Sequence, residues 1–294
     1  MPAEKKLKFK LIDIVLLTLI TAALVYIVYR IKVTIRYDWS WEIIPKYLFR
    51  FDKGKSRFVA STITLGFTMT IKLSIWGIIL GTIIGLIMGI LRVQSGLFAR
   101  FAGRAYVELI RNIPPIVLVF IFYFFFSSQL LDHLGIEDAI TTAGPGLKRF
   151  ISIIFIEPKL LNEFFSAALS IALYEGAYIT EIVRSGIESI PKGQWEAAHA
   201  IGLSRFSQFR HIILPQALKN VLPPLSGQFI STIKDSAIVS VISVPELSFQ
   251  GMQVMASTYA TFETWIVITL LYFMLTFSCS VIFGKLLRKM QTAD

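Results

Sequence analysis

Residues 191–215, PKGQWEAAHAIGLSRFSQFRHIILP, form a polar island in a chain that is otherwise strongly apolar. The island carries too many polar side chains to cross a bilayer. Gln194–Ile201 favours a short helix, and Gly202 favours a left-handed turn after it. Ser204 can then cap a second helix that begins near Arg205. Two short helices joined by a tight turn predict a compact knob, which either docks another protein or is simply a folded loop.

The composition of the whole chain is that of a membrane protein. Of its 294 residues, 55% are hydrophobic and 16% are charged, and the mean hydropathy is +0.67. A soluble domain carries about 25% charged residues, so this chain could not cover itself with polar surface. The net charge of +10 reflects basic residues that flank membrane spans, near anionic lipid. We therefore expect membrane lipid, and not nucleic acid, as a partner.

The apolar segments predict six membrane-spanning helices and therefore an all-α, polytopic fold. The six segments are Leu11–Tyr29, Phe58–Leu91, Tyr106–Phe126, Phe164–Ile187, Val221–Val244 and Thr264–Phe283. The first follows a lysine-rich tail, as in a signal peptide, but no small-residue cleavage motif follows it, so we interpret it as a retained helix. Between the first two segments, Trp and Tyr mixed with basic residues predict an interfacial helix at Ser40–Phe51; the alternative is a solvated loop.

Glycine recurs at every fourth residue along the second segment, at Gly77, Gly81, Gly85 and Gly89. Residues four apart lie on one face of a helix, and small residues on one face let another helix backbone approach closely. Glycine is also common in membrane helices without such a role. The regular spacing nevertheless predicts that this face packs against another helix.

Signatures of catalysis and of metal binding are absent from the sequence. The three histidines lack metal-ligand spacing, and the single cysteine, Cys279, excludes an intrachain disulfide and a cysteine-based metal site. Gly54-Lys55-Ser56 resembles the end of a phosphate-binding loop, but the required glycine five residues earlier is Phe49. We therefore expect no catalytic residue, metal or cofactor in this chain, and any ATP must be bound by another chain.

Charged residues inside the predicted spans are candidate functional positions, because burying a charge in a bilayer is costly. The pairs Glu181/Arg184 and Glu108/Arg111 are each one helical turn apart, so each can form an internal ion pair. The adjacent residues Lys234-Asp235 cannot face each other on a helix, so each needs another partner. That partner is another helix, the backbone or a ligand.

The polar island also carries a family resemblance. Glu196-Ala197-Ala198, Gly202, Ile212 and Leu214-Pro215 have the spacing of the EAA loop in permease subunits of ATP-binding-cassette (ABC) importers. Other stretches are similar to the polar amino acid permeases of this class, namely residues 106–114, 176–184, 215–217, 222–224, 234–235 and 245–247. The resemblance covers Phe58 to the C-terminus and leaves out Met1–Arg36.

The resemblance implies a type I ABC importer permease with five core transmembrane helices plus one extra N-terminal helix. Its parts are a tail with the extra helix at 1–36, an extracytoplasmic interfacial segment at 37–57, the permease domain at 58–286 with the EAA coupling loop at about 190–216, and a cytoplasmic tail at 287–294. It also implies a location in the cytoplasmic (inner) membrane of a prokaryote with both termini cytoplasmic. The distribution of basic residues favours this orientation only slightly.

The resemblance further implies three protein partners. They are a cytoplasmic ABC ATPase dimer that binds ATP and Mg²⁺, a second permease copy or paralogue, and an extracytoplasmic amino-acid-binding protein. The ATPase-coupling residues are then Glu196, Ala197, Ala198, Gly202, Ile212, Leu214 and Pro215. The chain is expected to be a transport subunit and not an enzyme.

In the resembled family the Lys-Asp pair lies in the helix that lines the translocation path. We therefore assign Lys234, Asp235, Glu175, Tyr178 and Glu181 to substrate contact. Relatives more often have a small or neutral residue in place of Glu175, which either recognises the substrate side chain or pairs with Lys234 and a lysine of the second span, Lys72. The sequence thus predicts import of a polar amino acid. The alternatives are another small polar nutrient, an ion-coupled secondary transporter, or a membrane scaffold without transport.

Overall fold

The computed structural model describes residues 11–34, 37–54, 56–93 and 96–291. The chain divides into two compact units, one ending at Ser40 and the other beginning at Trp41. The first ten residues of the predicted N-terminal tail, and residues 292–294 of the predicted C-terminal tail, lie outside the described residues. The predicted domain boundaries after residues 36, 57 and 286 stay predictions.

In the described part of the first unit, helix α1 spans Leu11–Thr34. Apolar side chains surround it on all sides, as expected for a helix in lipid. The hydroxyls of Thr18 and Thr21 each donate a hydrogen bond of 2.8 Å to the backbone carbonyl four residues earlier. These bonds satisfy the two polar side chains without water. The helix continues past the predicted end of the first span.

The second unit begins with a 3-10 turn at Trp41–Ile43, helix α2 at Ile44–Leu48, and two antiparallel strands, β1 at Phe49–Asp52 and β2 at Arg57–Ala60. The backbone N–H of Gly54 donates to Asp52 Oδ1 at 2.9 Å and closes the hairpin. The predicted interfacial helix at Ser40–Phe51 is therefore wrong beyond Leu48, because Phe49–Phe51 belongs to β1 and pairs with β2. The second span consequently starts after the hairpin and not at Phe58.

The long helices α3, Thr62–Val93, and α9, Leu161–Glu188, pack against each other along most of their length. A Cβ atom added to Gly85 would lie 2.5 Å from Ile179 Cγ2, and one added to Gly89 would lie 2.7 Å from the Val183 side chain. All four glycines predicted to pack are buried at this contact. Their missing side chains let the two backbones approach closely.

The predicted third span, Tyr106–Phe126, is not one continuous helix. Helix α4 spans Leu97–Asn112, helix α5 spans Pro115–Ile121, and the two axes differ by 106°. A π-helical segment, Phe122–Leu131, follows α5. The break arises because two successive prolines, Pro114 and Pro115, lack a backbone N–H and hold the preceding residue in an extended conformation.

Short helices cover one end of the α3–α9 pair. They are α6 at Asp132–Leu134, α7 at Ile136–Thr142, α8 at Pro145–Ile154 and a 3-10 turn at Pro158–Leu160. Two side chains of α3 hold this cover in place. Lys72 Nζ donates to the carbonyl of Ser152 at 2.7 Å, and Trp76 Nε1 donates to the carbonyl of Ile154 at 3.3 Å.

The polar island leads directly into the remaining helices. They are α10 at Lys192–Ala200, α11 at Arg205–Gln208, a π turn at Phe209–Ile213, α12 at Leu214–Asp235, a 3-10 segment at Ser236–Ile242, α13 at Leu247–Thr258 and α14 at Thr261–Gln291. The predicted fifth span, Val221–Val244, thus begins seven residues inside α12, and the chain changes to 3-10 geometry after Asp235. The sequence analysis missed α13, whose first turn is capped by Glu246 through the N–H groups of Ser248 and Phe249 at 2.9 and 2.7 Å.

Within the described residues, α3 and α14 are long and apolar enough to cross a membrane alone, and the bent pair α4–α5 makes a third candidate. Helices α9 and α12 correspond to the predicted fourth and fifth spans but fail this test because they carry charged and polar residues. They pack against each other and against α3 in the middle of the second unit. The count of six spans stays a prediction.

Candidate functional site

A cavity of about 190 Å³ lies where α5, α9 and α12 meet, and we call it the charged cavity. Its charged lining residues are Glu175 from α9 and Lys234 and Asp235 from the end of α12. The rest of its lining is Pro115, Leu118, Val119, Ser170, Ile171, Tyr174 and Ile238. The fold therefore brings together three of the five residues predicted to contact substrate, although Glu175 and Asp235 are 60 positions apart in the sequence.

Glu175 is the most deeply buried of the three charged residues. Its side chain is fully buried, whereas Lys234 and Asp235 are exposed. Gln228 Nε2 donates to Glu175 Oε2 at 2.5 Å, and Glu175 Oε1 is buried without a hydrogen-bond partner. The alternative in which Glu175 pairs with Lys72 is wrong, because the Lys72 ammonium instead binds a backbone carbonyl. All three residues are described, and no ion pair joins Glu175 to Lys234 either.

A second and wider cavity, of about 790 Å³, lies between α9 and α12 on the side of the polar island, and we call it the knob-side cavity. Its polar and charged lining residues are Arg111, Tyr178, Glu181, Ser185, Ser189, Lys219, Asn220 and Gln228. Tyr178 and Glu181, which the sequence assigned to the same site as Lys234, therefore line a different cavity.

Two side-chain contacts separate the charged cavity from the knob-side cavity. The hydroxyls of Tyr174 and Tyr178 lie 3.2 Å apart, with one tyrosine lining each cavity. The hydrogen bond between Gln228 and Glu175 is the second contact. Arg111 lies over the ring of Tyr178, with its guanidinium carbon 5.0 Å from the ring centroid, which is a cation–π geometry. These side chains therefore lie between the residues that line the two cavities.

The ion pairs near the knob-side end of α9 differ in part from those predicted. Glu181 pairs with Arg184, as its spacing predicted, and Arg184 Nε donates to Glu181 Oε1 at 2.9 Å. Glu181 also pairs with Arg92 of α3, which joins the two helices. The predicted pair Glu108/Arg111 is wrong, because Glu108 pairs at 2.7 Å with Arg104, one turn in the other direction.

The polar island folds as the predicted knob of two short helices. Gly202 adopts a left-handed conformation with φ of +82°, and Ser204 Oγ accepts a hydrogen bond of 3.3 Å from the N–H of Ser207. Among the seven predicted coupling residues, Glu196, Ala197, Gly202 and Pro215 are exposed. Ala198 is buried, and Ile212 and Leu214 are half-buried. The exposed residues of the motif are available to a partner, whereas its buried and half-buried residues pack inside the knob and stabilise it.

Two apolar side chains of the knob remain in solvent, although nearby ones are buried. Ile201 is 71% exposed and Phe206 is 70% exposed, whereas Ile213 is fully buried. Phe206 also lines a cavity of about 490 Å³ together with Trp195 and Phe209. Large apolar side chains left exposed on a polar loop are typical of a protein-binding surface.

Sequence reasoning missed three residues of these cavities. Gln228 lies seven residues, or two turns, before Asp235, so the two share a face of α12. Tyr174 lies one turn before Tyr178, on the same side of α9. These two could have been found by extending the face of each known candidate by one or two turns. The cavity position of Arg111 depends on the break after α4, and no local signal places it there.

Helices with charged side chains around internal cavities, together with an exposed knob between two of them, define the class of membrane transport subunits. The chain belongs to the family of binding-protein-dependent transport system inner membrane components, whose model matches residues 81–292. The permease family indicated by the EAA spacing is thereby confirmed. The family match begins within α3, so α1 and the hairpin lie outside it.

Relatives along most of the chain support this assignment. The chain is 34% identical over 192 residues to the probable glutamine ABC transporter permease protein GlnM of Bacillus subtilis, covering 65% of this chain and 76% of that protein. It is 33% identical over 258 residues to the glutamine transport system permease protein GlnP of Escherichia coli, covering 87% and 99%. A solved structure of an amino acid ABC transporter with histidines matches with a TM-score of 0.62 and 29% identity, over 78% of this chain and 94% of that chain. The predicted type I importer fold is confirmed.

Proposed function

We propose that this chain carries a polar amino acid across the membrane and that the charged cavity lies on its path. The observation that carries the proposal is the presence of Lys234, Asp235 and Glu175 in the lining of one small cavity. An amino acid presents a carboxylate to a lysine and an ammonium to an aspartate, so it satisfies both charges at once. The relatives named for glutamine, and the similar structure with histidines, support an amino acid over another small polar nutrient.

The proposal includes three partners for this subunit. A cytoplasmic ATPase dimer binds ATP and Mg²⁺ and docks against the exposed knob residues, among them Glu196 and Ala197. An extracytoplasmic amino-acid-binding protein delivers the substrate, and a second permease copy or paralogue completes the membrane part. The exposed apolar side chains of Ile201 and Phe206 support the knob as the docking surface.

The path from knob to cavity gives a mechanism for coupling. A continuous helical segment begins in the knob at Arg205 and runs through α12 to Lys234 and Asp235. Because α12 is a continuous helix of about 30 Å, a movement of the knob would be transmitted along it to the charged cavity. ATP-driven closure of the ATPase dimer would thus change the access to the cavity.

The proposed orientation follows from the knob. If the knob contacts a cytoplasmic ATPase, the wider knob-side cavity opens toward the cytoplasm and the charged cavity lies deeper in the membrane. Substrate then passes the contacts Tyr174–Tyr178 and Glu175–Gln228 before release. This orientation corresponds to a multi-pass protein of the cytoplasmic membrane of a prokaryote with both termini cytoplasmic.

Reconstitution tests the proposal. The chain is assembled in proteoliposomes with its ATPase and binding protein, and ATP-dependent uptake is measured for a panel of labelled amino acids. We expect uptake of at least one amino acid and its loss in Lys234→Ala, while the variant still co-purifies with the ATPase. Absence of amino acid uptake by an assembled wild-type complex would contradict the proposal. Uptake driven by an ion gradient without the ATPase would favour a secondary transporter.

A further inference from the structure

We infer that the charged cavity is selective for an amino acid with a positively charged side chain, and that Glu175 sets this preference. The inference rests on the proposed function, because it names the substrate class of the same site. The cavity lining carries two acidic side chains and one basic side chain, a formal excess of one negative charge. An amino acid with a neutral side chain has no net charge and does not compensate this excess. An amino acid with a positively charged side chain carries a net charge of +1 and does compensate it.

The main chain of an amino acid accounts for only two of the three charged residues. Its carboxylate matches Lys234, and its ammonium matches Asp235; the two stand side by side at the end of α12. Glu175 approaches from α9, on another wall of the same cavity. It is therefore the group left to face the substrate side chain.

The surroundings of Glu175 show an incompletely satisfied carboxylate. Its side chain is fully buried, and the amide of Gln228 donates to Oε2. Oε1 is buried in the structure without a hydrogen-bond partner. An unpartnered buried acceptor on a charged group is costly, so a donor that also carries positive charge gains the most by binding there.

The remaining wall of the cavity suits a side chain with an apolar stem and a charged end. Leu118, Val119, Ile171 and Ile238 supply the apolar part of the lining. Arginine and lysine bury their methylene groups along apolar surface while their charged ends bind polar partners. The volume of about 190 Å³ lies below the range of about 300–1,000 Å³ that is typical of drug-sized ligands. A single amino acid is therefore the appropriate size of occupant.

The experiment measures binding to the permease–ATPase complex without the binding protein, because the binding protein has a specificity of its own. Equilibrium binding of labelled arginine, lysine, glutamine and glutamate is compared for wild type and Glu175→Gln. One charge-assisted hydrogen bond corresponds to about 10–100-fold in affinity, so wild type is expected to bind arginine or lysine at least about tenfold more tightly than glutamine. In Glu175→Gln we expect this preference to disappear.

Control variants separate specificity from folding. Glu175→Asp keeps the charge and is expected to keep the preference for a cationic side chain. Glu188→Gln removes a carboxylate from the same helix outside the charged cavity, and it is expected to bind like wild type. Wild-type binding of glutamine or glutamate as tight as that of arginine would overturn the inference while leaving the proposed function intact. Absence of amino acid uptake by the complete, assembled importer would overturn both.

Discussion

Glu175 and Glu181 lie six residues apart on α9, but their environments are opposite. Glu181 pairs with Arg92 and Arg184, so its charge is compensated by the protein itself. Glu175 is more deeply buried, has no ion-pair partner among the described residues and leaves one oxygen unbound. Position on a helix therefore does not by itself assign a role to a charged residue. A compensated charge holds helices together, whereas an uncompensated one in a cavity points to a ligand.

The largest expected loss of stability comes from disrupting the α3–α9 contact, which positions both glutamates. Gly85→Leu would force a side chain into Ile179 of α9, and overpacking of this kind costs about 3 kcal/mol or more. We expect the variant to lose its assembly with the ATPase and to unfold at a much lower temperature. Gly284→Leu is the matched control, because nothing lies within 4 Å of a Cβ at that glycine. Equal thermal stability of the two variants would contradict the α3–α9 packing.

A smaller loss of stability is expected when the compensated glutamate is neutralised. Glu181→Gln leaves Arg92 and Arg184 without their shared carboxylate. Because Glu181 is 31% exposed, water screens part of the loss, and we expect about 1–2 kcal/mol, measured by thermal unfolding of the purified complex. Glu108→Gln, which breaks the exposed pair with Arg104, should leave the unfolding temperature nearly unchanged. A larger loss of thermal stability in Glu108→Gln than in Glu181→Gln would contradict the structural role assigned to Glu181.

The knob offers a change that affects coupling more than stability. Gly202→Asp places a side chain on a residue with φ of +82°, which costs about 1 kcal/mol or distorts the turn. We expect loss of co-purification with the ATPase while membrane insertion remains normal. Gly193→Asp introduces the same side chain into the same knob without a left-handed backbone, and nothing lies within 4 Å of its Cβ position. Retention of the ATPase by Gly202→Asp at the wild-type level would count against the coupling role.

The features that the sequence predicted well are those determined by local residue types. Apolar length located the long helices, and the glycine repeat located the packing face of α3. The knob was predicted together with its left-handed Gly202 and its Ser204 cap, because both depend on residues a few positions apart. The charged residues of the cavity were also predicted, since buried charges are rare in membrane helices.

The features that the sequence did not predict depend on contacts between distant segments. The hairpin of β1 and β2 replaced part of an expected helix, because strand pairing is specified by two segments at once. The partner of Glu181 on α3 and the partner of Glu175 on α12 come from other helices, so local spacing found only Arg184. The bend at Pro114-Pro115 was visible as a proline pair, but its angle of 106° was not.

Equilibrium binding of labelled arginine by Glu175→Gln and Glu181→Gln, measured beside their unfolding temperatures, tests the central distinction most directly. We expect Glu175→Gln to lose about 10–100-fold in arginine affinity with no loss of thermal stability. Glu181→Gln is expected to unfold at a lower temperature but, below that temperature, to bind arginine like wild type. If Glu175→Gln binds arginine normally while Glu181→Gln does not, the roles assigned to the two glutamates are wrong.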